Sequence, residues 1–185
     1  MKKVQPIRDK ETIEDMKNGL LKRGYRDYML FVIGINTGLR ISDILKLKVK
    51  DVQDKTHVTL TEKKTGKVKR FRINEQLKKE VDAYITGMDP EAFLFESQRS
   101  DKDGNAKAIS RVQAYRILNA AAEEIGLEEV GTHTLRKTFG YWHYKQYKDV
   151  ALLQEIFNHS SPSVTLDYIG INQDVMDATI ENFYL

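Results

Sequence analysis

Between Ala114 and Ile125 the apolar side chains recur at Ala114, Ile117, Leu118, Ala121, Ala122 and Ile125. Those intervals trace one face of a helix with 3.6 residues per turn, and no strand could bury them together. A chain with such a stripe needs other helices to cover it, and this one supplies them. Asp9 has the chemistry of an N-cap for a helix running to about Lys22, with Ile13, Met16, Leu20 and Leu21 at helical spacing and Gly24 as its stop. A more apolar helix is expected from Arg26 to Asn36, closing at Gly38, and "RISDILKLKV" opens a short third one. Asn74 caps another to about Ile85, and further helices are expected over 133–146, 150–158, 163–168 and 174–183.

The period changes near the end of the first third. "HVTLTE" and "VKRFRI" read as strands, joined by the turn-like "KKTGK" into a basic hairpin, and "VKDV" just before them reads as an edge strand. Residues 87–108, with Pro90, Gly104 and several Asp and Ser, read mostly as loop. The expected class is therefore α+β, mainly α-helical, with a small antiparallel β-sheet. A length of 185 residues without repeat, low-complexity tract or linker fits one domain.

Composition excludes more than it selects. A formal net charge of +3 identifies no partner by itself, but Lys63 to Arg72, "KKTGKVKRFR", places six basic residues in ten positions. With no cysteine there are no disulfides, thiolate zinc sites or cysteine nucleophiles, which suits a reducing compartment. No apolar run approaches the roughly 18 residues that span a bilayer, and "MKKVQPIRDK" lacks the apolar core of a secretory signal. The expectation is a soluble cytoplasmic protein with no membrane partner. The sequence also lacks an HExxH helix or a cysteine–histidine cluster, so neither a metal nor a cofactor is expected.

The chemistry-bearing candidates are individually ordinary. Arg40, in "NTGLRISD", alone reads as a surface or capping arginine. It gains meaning with Arg136 as partner, because two guanidiniums can each hold a phosphate in bidentate fashion and offset growing negative charge. His133 and Arg136 are three apart on one helix face, at a helix start where backbone N–H groups favour an anion. His159 and Tyr168, nine apart across the turn at Ser160 to Pro162, can reach one cleft. Lys64 lies in the hairpin turn, from which a lysine can reach into a groove and donate a proton if desolvation or nearby cations lower its pKa.

Taken in order, "TGLRISDILKLKVKDV", "KKTGK", "THTLRKTF" and "FNHSSPSVTLDY" resemble the catalytic domain of the tyrosine recombinases, the phage integrase family, from about Asp9 to the C-terminus. The resemblance implies a single catalytic domain over 1–185 with the tyrosine-recombinase catalytic fold. It implies a site-specific DNA recombinase or integrase that cleaves and rejoins strands through a covalent 3′-phosphotyrosine intermediate. Arg40 and Arg136 would clamp the scissile phosphate, and Tyr168 would be the nucleophile. Lys64 would protonate the 5′-hydroxyl leaving group, with its neighbour Lys63 a competing choice. His133 would serve as acid or base beside the tyrosine, and His159 would hydrogen-bond the phosphate.

The implied partner is double-stranded DNA, contacted by Lys63, Lys67, Lys69 and Arg70 of the hairpin and by Lys137, which reads as a DNA-facing or structural neighbour of the site. The implied assembly is a homo-oligomer, a tetramer on DNA and a monomer when free. The family needs neither metal nor ATP, since the tyrosyl link conserves the phosphoester's energy. Family members commonly carry a helical DNA-binding domain before the catalytic one; the short segment ahead of Asp9 leads us to expect no such core-binding domain in this chain. Asn158 stands where the family often has glycine, and asparagine tolerates the positive φ required there. Competing readings are a type IB topoisomerase-like enzyme, a DNA-binding module of the same fold with weak or no catalysis, and a general phosphate- or RNA-binding domain.

Overall fold

The structure is a computed structural model and describes residues 4–61, 66, 68–181, 183 and 184. The first helix, α1 (Lys10–Arg23), starts where the Asp9 carboxylate accepts the Thr12 N–H at 2.7 Å, and ends at Gly24, whose N–H reaches the carbonyls of Leu20 and Leu21. The largely buried α2 (Tyr25–Thr37) closes at Gly38, whose φ of 62° is left-handed. Two short helices follow, α3 (Ile41–Ile44) and α4 (Val49–Val52). The strands β1 (His57–Thr61) and β2 (Val68–Arg72) pair antiparallel, His57 opposite Arg72 and Thr61 opposite Val68. Then come α5 (Glu75–Ile85), α6 (Arg111–Glu124), α7 (Thr132–Tyr147), α8 (Val150–Phe157), α9 (Pro162–Ile169) and α10 (Ile171–Glu181). The long connection between α5 and α6 has no regular element beyond isolated bridges among its described residues.

This is the α+β, mainly helical class that the sequence suggests, with two corrections. "VKDV" is α4 rather than an edge strand: the Asp51 carboxylate accepts the Lys48 N–H at 2.8 Å and nucleates a helical turn. Extended pairing falls one residue earlier, where Lys48 bridges Phe93. The last helix begins at Ile171 rather than Asp174, because Gly170, with φ of 80°, ends α9 and lets the chain turn at once into α10.

Two apolar clusters hold the fold together. The larger joins Met16 and Leu20 of α1, Leu30 and Phe31 of α2, Leu77 and Val81 of α5, and the Ala114, Leu118, Ala121 and Ala122 stripe of α6. The smaller gathers Tyr141, Leu153, Phe157, Ile169 and Ile171, with Tyr168 packed against it. Helix α7 belongs to both, since Leu135 sits in the first cluster and Tyr141 in the second.

Gly140 is what lets α8 and α9 close on α7: a Cβ there would lie 2.6 Å from Ile169 and 2.7 Å from Phe157. Any side chain would push apart the helices that bring Tyr168 to the first turn of α7. The N-terminal segment runs back over the same helix, where the Ile7 N–H donates to Thr138 Oγ1 and the Trp142 indole donates to the Ile7 carbonyl, each at 2.9 Å. Arg8 then ties that segment to Asp174 of α10 at 2.8 Å. No helix among the described residues is long and apolar enough to cross a membrane.

Candidate active site

The site is built where three element ends meet. Helix α7 starts after Gly131, whose N–H donates to Thr134 Oγ1 at 3.1 Å, and its first turn presents His133. Arg136, one turn on, is 3% exposed. Its guanidinium donates to the carbonyl of Gly38, at the end of α2, and to that of Phe157, at the end of α8, at 2.8 Å in the second case. It also lies 4.1 Å from the centre of the Phe157 ring. Buried arginine is costly unless such partners fix it, and here they orient the fork while leaving its charge in place.

Arg40 occupies the N-cap position of α3, two residues past Gly38, and so lies across from Arg136. A cavity of about 300 Å³ opens between them, lined by Arg40, Ile41, Ser42, Arg111, Thr132, His133 and Arg136. Its walls carry three arginines and the N-terminus of α7, a combination that favours an anion.

Tyr168, on α9, sets its hydroxyl 3.2 Å from His133 Nδ1. Burial pushes the phenol above its ordinary 10, while the charges of Arg136 and Arg40 and a hydrogen bond from Arg136 pull it down. Burial, then the charges of Arg111, Lys137, Arg136 and Arg40, hold His133 below the ordinary histidine value of 6.5. At neutral pH the imidazole is therefore uncharged, with a lone pair for the phenol's proton.

His159 completes the group. Asn158 closes α8 in the left-handed region at φ of 52°. The His159 backbone is then held by Gln154 on both sides, its N–H donating to the Gln154 carbonyl at 3.0 Å and its carbonyl accepting from the Gln154 amide at 3.2 Å. The imidazole meets the Tyr168 ring edge-on, with centroids 5.0 Å apart, and its Nδ1 lies 3.1 Å from Thr165 Oγ1.

A sequence model of the phage integrase family matches residues 9–174. The chain belongs to the phage integrase family. It is 54% identical over 180 residues to the probable integrase/recombinase YoeC of Bacillus subtilis, covering 97% of each chain. It is 27% identical to the tyrosine recombinase XerA of Pyrococcus furiosus over 92% of this chain and 59% of the relative, so it spans little more than half of that longer protein. Among solved structures it resembles the XerA recombinase, with a TM-score of 0.74 at 19% identity over 98% of this chain and 66% of that one. It also resembles the XerH recombinase bound to its difH substrate, with a TM-score of 0.66 at 21% identity over 90% and 51% of the two chains.

Within this integrase-family chain, Arg40, His133, Arg136, His159 and Tyr168 come together. Lys64, Lys63 and Lys67 lie outside the described residues. Of the remaining hairpin cations, Arg70 is exposed on β2, whereas the half-buried Lys69 donates to the Ile156 carbonyl and clips the hairpin to α8. Lys137, expected from the sequence to contact DNA, is 6% exposed, and its ammonium lies 4.9 Å from the centre of the Tyr168 ring. Sequence reasoning missed Arg111, the first residue of α6, which lines the cavity and depresses His133. Its position after the capping Ser110 marks a helix start and gives no sign of which cavity that start faces.

Proposed function

We propose that this chain is a tyrosine-type site-specific DNA recombinase that cuts and rejoins double-stranded DNA through a 3′-phosphotyrosine link carried by Tyr168. The observation that carries the reading is the His133 Nδ1 3.2 Å from the Tyr168 hydroxyl, beside a cavity flanked by Arg40 and Arg136. His133 takes the phenolic proton as the Tyr168 oxygen attacks phosphorus. The bond from phosphorus to the 5′-oxygen breaks, and that oxygen takes a proton from Lys64. Arg40 and Arg136 hold the non-bridging oxygens as charge builds on them. One phosphodiester is exchanged for another, so the reverse attack by a 5′-hydroxyl rejoins a strand without ATP.

The first test is covalent capture. The protein is incubated with supercoiled plasmid and nicked duplexes and then denatured, and protein-bound DNA is scored. An adduct is expected. DNA binding with no adduct would instead favour a DNA-binding module of this fold. The same reaction run without denaturation reads the assembly, which we propose to be a tetramer on DNA and a monomer when free. The exposed apolar Val175, Ile180 and Phe183 towards the C-terminus are available for such contacts. Residues 1–185 act in this scheme as one catalytic domain, working in the cytoplasm.

The pH profile should report His133. Because its pKa in the free protein lies below 6.5, the base stays competent through neutral pH and fails only when acid protonates it. Single-turnover cleavage at subsaturating protein should fall on the acid side with a midpoint below pH 6.5, and His133→Gln should lose this acid limb. An acid limb with its midpoint above 6.5 would remove His133 from the role of base.

Lys64 is tested by its leaving group. Lys64→Ala should slow cleavage of ordinary DNA by about 10²–10⁴-fold. A substrate with sulfur at the 5′-bridging position leaves as a thiolate, of pKa about 8.5, and should be cut nearly as fast by the variant as by the parent. Equal slowing on both substrates would assign the proton to another group.

A further inference from the structure

Arg111 and Thr132 line two depressions at once. One is the cavity between Arg40 and Arg136; the other, of about 460 Å³, adjoins it and has Val112 and Tyr115 as its remaining walls. Arg111 and Tyr115 are four apart on α6, so they share a face, and both are exposed, with Val112 beside them. The shared wall makes the two depressions one path, and a strand with a phosphate in the first continues over the second.

An exposed arginine is ordinarily just solvated. Two features set Arg111 apart, beyond its place in that wall. Among the described residues no ion pair or side-chain hydrogen bond engages its guanidinium, whereas Arg8, Arg23 and Arg26 are held by Asp174, Glu124 and Asp27. It also stands beside the base rather than the attacking oxygen. After burial, its charge is the strongest influence lowering His133, while at Tyr168 the charges that oppose burial are those of Arg136 and Arg40.

We propose that Arg111 holds the phosphate next to the scissile one on the same strand, with the deoxyribose attached to it packed against Tyr115. A guanidinium can donate two N–H groups to one phosphate, and the face of a tyrosine ring suits a sugar while its hydroxyl stays in water. The charge of a neighbouring phosphate does not change as the strand is cut. The contact therefore binds substrate and transition state alike, strengthening DNA binding and fixing its register without speeding the bound complex.

That the first cavity takes the scissile phosphate rests on the recombinase reading above, so the first test needs no cleavage. Affinity for a random-sequence duplex is measured against salt. Arg111→Gln should weaken binding several-fold and lower the slope of log affinity against log salt by about 0.9, the loss of one phosphate contact. Tyr115→Ser should weaken binding a few-fold with the slope unchanged. An Arg111→Gln slope equal to the parent's would overturn the proposal even if the chain cuts no DNA.

The second test locates the phosphate. Duplexes carrying the captured cut site are made with a single methylphosphonate, which removes one phosphate's charge, at the scissile position or at either neighbour. Neutralising one neighbour should weaken binding by the parent about as much as Arg111→Gln does, and should cost that variant little more, since both changes remove one contact. At saturating protein Arg111→Gln should cleave the unmodified duplex within a few-fold of the parent rate. Undiminished further loss at both neighbours would overturn the proposal. So would a saturated rate lowered about 10²-fold or more, which would make Arg111 a third clamp on the scissile phosphate itself.

Discussion

Tyr168→Phe should leave no covalent protein–DNA adduct and lower strand cleavage by at least about 10⁴-fold, the scale of losing a nucleophile. DNA affinity should stay within a few-fold. The two readouts separate because the change removes one oxygen and keeps the ring. That ring packs edge-on against Phe157 and His159, at 5.6 and 5.0 Å between centroids, and lies beneath the Lys137 ammonium. Phenylalanine reproduces those contacts, so the fold and the arginine-lined cavity survive. What disappears is the atom 3.2 Å from His133 Nδ1. Burial makes the Tyr168 hydroxyl a weaker acid than a free phenol, and the arginines only partly counter that, so an adjacent base is required at neutral pH. An adduct as abundant in the phenylalanine variant as in the parent would mean that another side chain is the nucleophile.

The site was legible in the sequence because its residues lie in short blocks at element ends, where local chemistry is visible. Gly38 followed by Arg40, the "HTLR" start of α7 and the "NHSSPS" turn each mark a place where a helix stops or begins. Helix starts were legible for the same reason, with Asp9 and Asn74 both capping as their side chains suggest. "VKDV" misled because four residues fit a strand or one helical turn equally well, and the deciding hydrogen bond, from Lys48 to Asp51, depends on a side-chain rotamer. The surroundings of Lys137 were not legible, because helix geometry places it some 100° around from Arg136, and only the packing of α9 sets that face against the Tyr168 ring. Arg111 carries no local signal at all, since its role comes from what the tertiary fold sets opposite it.

Replacing Arg136 should separate catalysis from architecture. Its guanidinium serves both at once, donating to carbonyls at the ends of α2 and α8 while its charge bears on the cavity and on Tyr168. Lysine keeps a positive charge but offers a compact ammonium on a flexible stem instead of a planar fork. It cannot hold both carbonyls and a phosphate together. Arg136→Lys should therefore cut cleavage by about 10²–10³-fold, the scale of losing one positioned donor to the transition state. Alanine goes further, leaving the Gly38 and Phe157 carbonyls without this donor at about 1–3 kcal/mol each, and opening a void over the Phe157 ring. Arg136→Ala should thus melt several degrees below the lysine variant and loosen the junction that sets Arg40 across from α7. Single-turnover cleavage, DNA affinity and thermal melting, measured on both variants, decide the matter. Cleavage falling far more than affinity in the lysine variant, with little loss of melting temperature, is what a phosphate clamp requires. Equal losses of cleavage and affinity would reduce Arg136 to a binding arginine and leave Arg40 and Arg111 as the cations to test next.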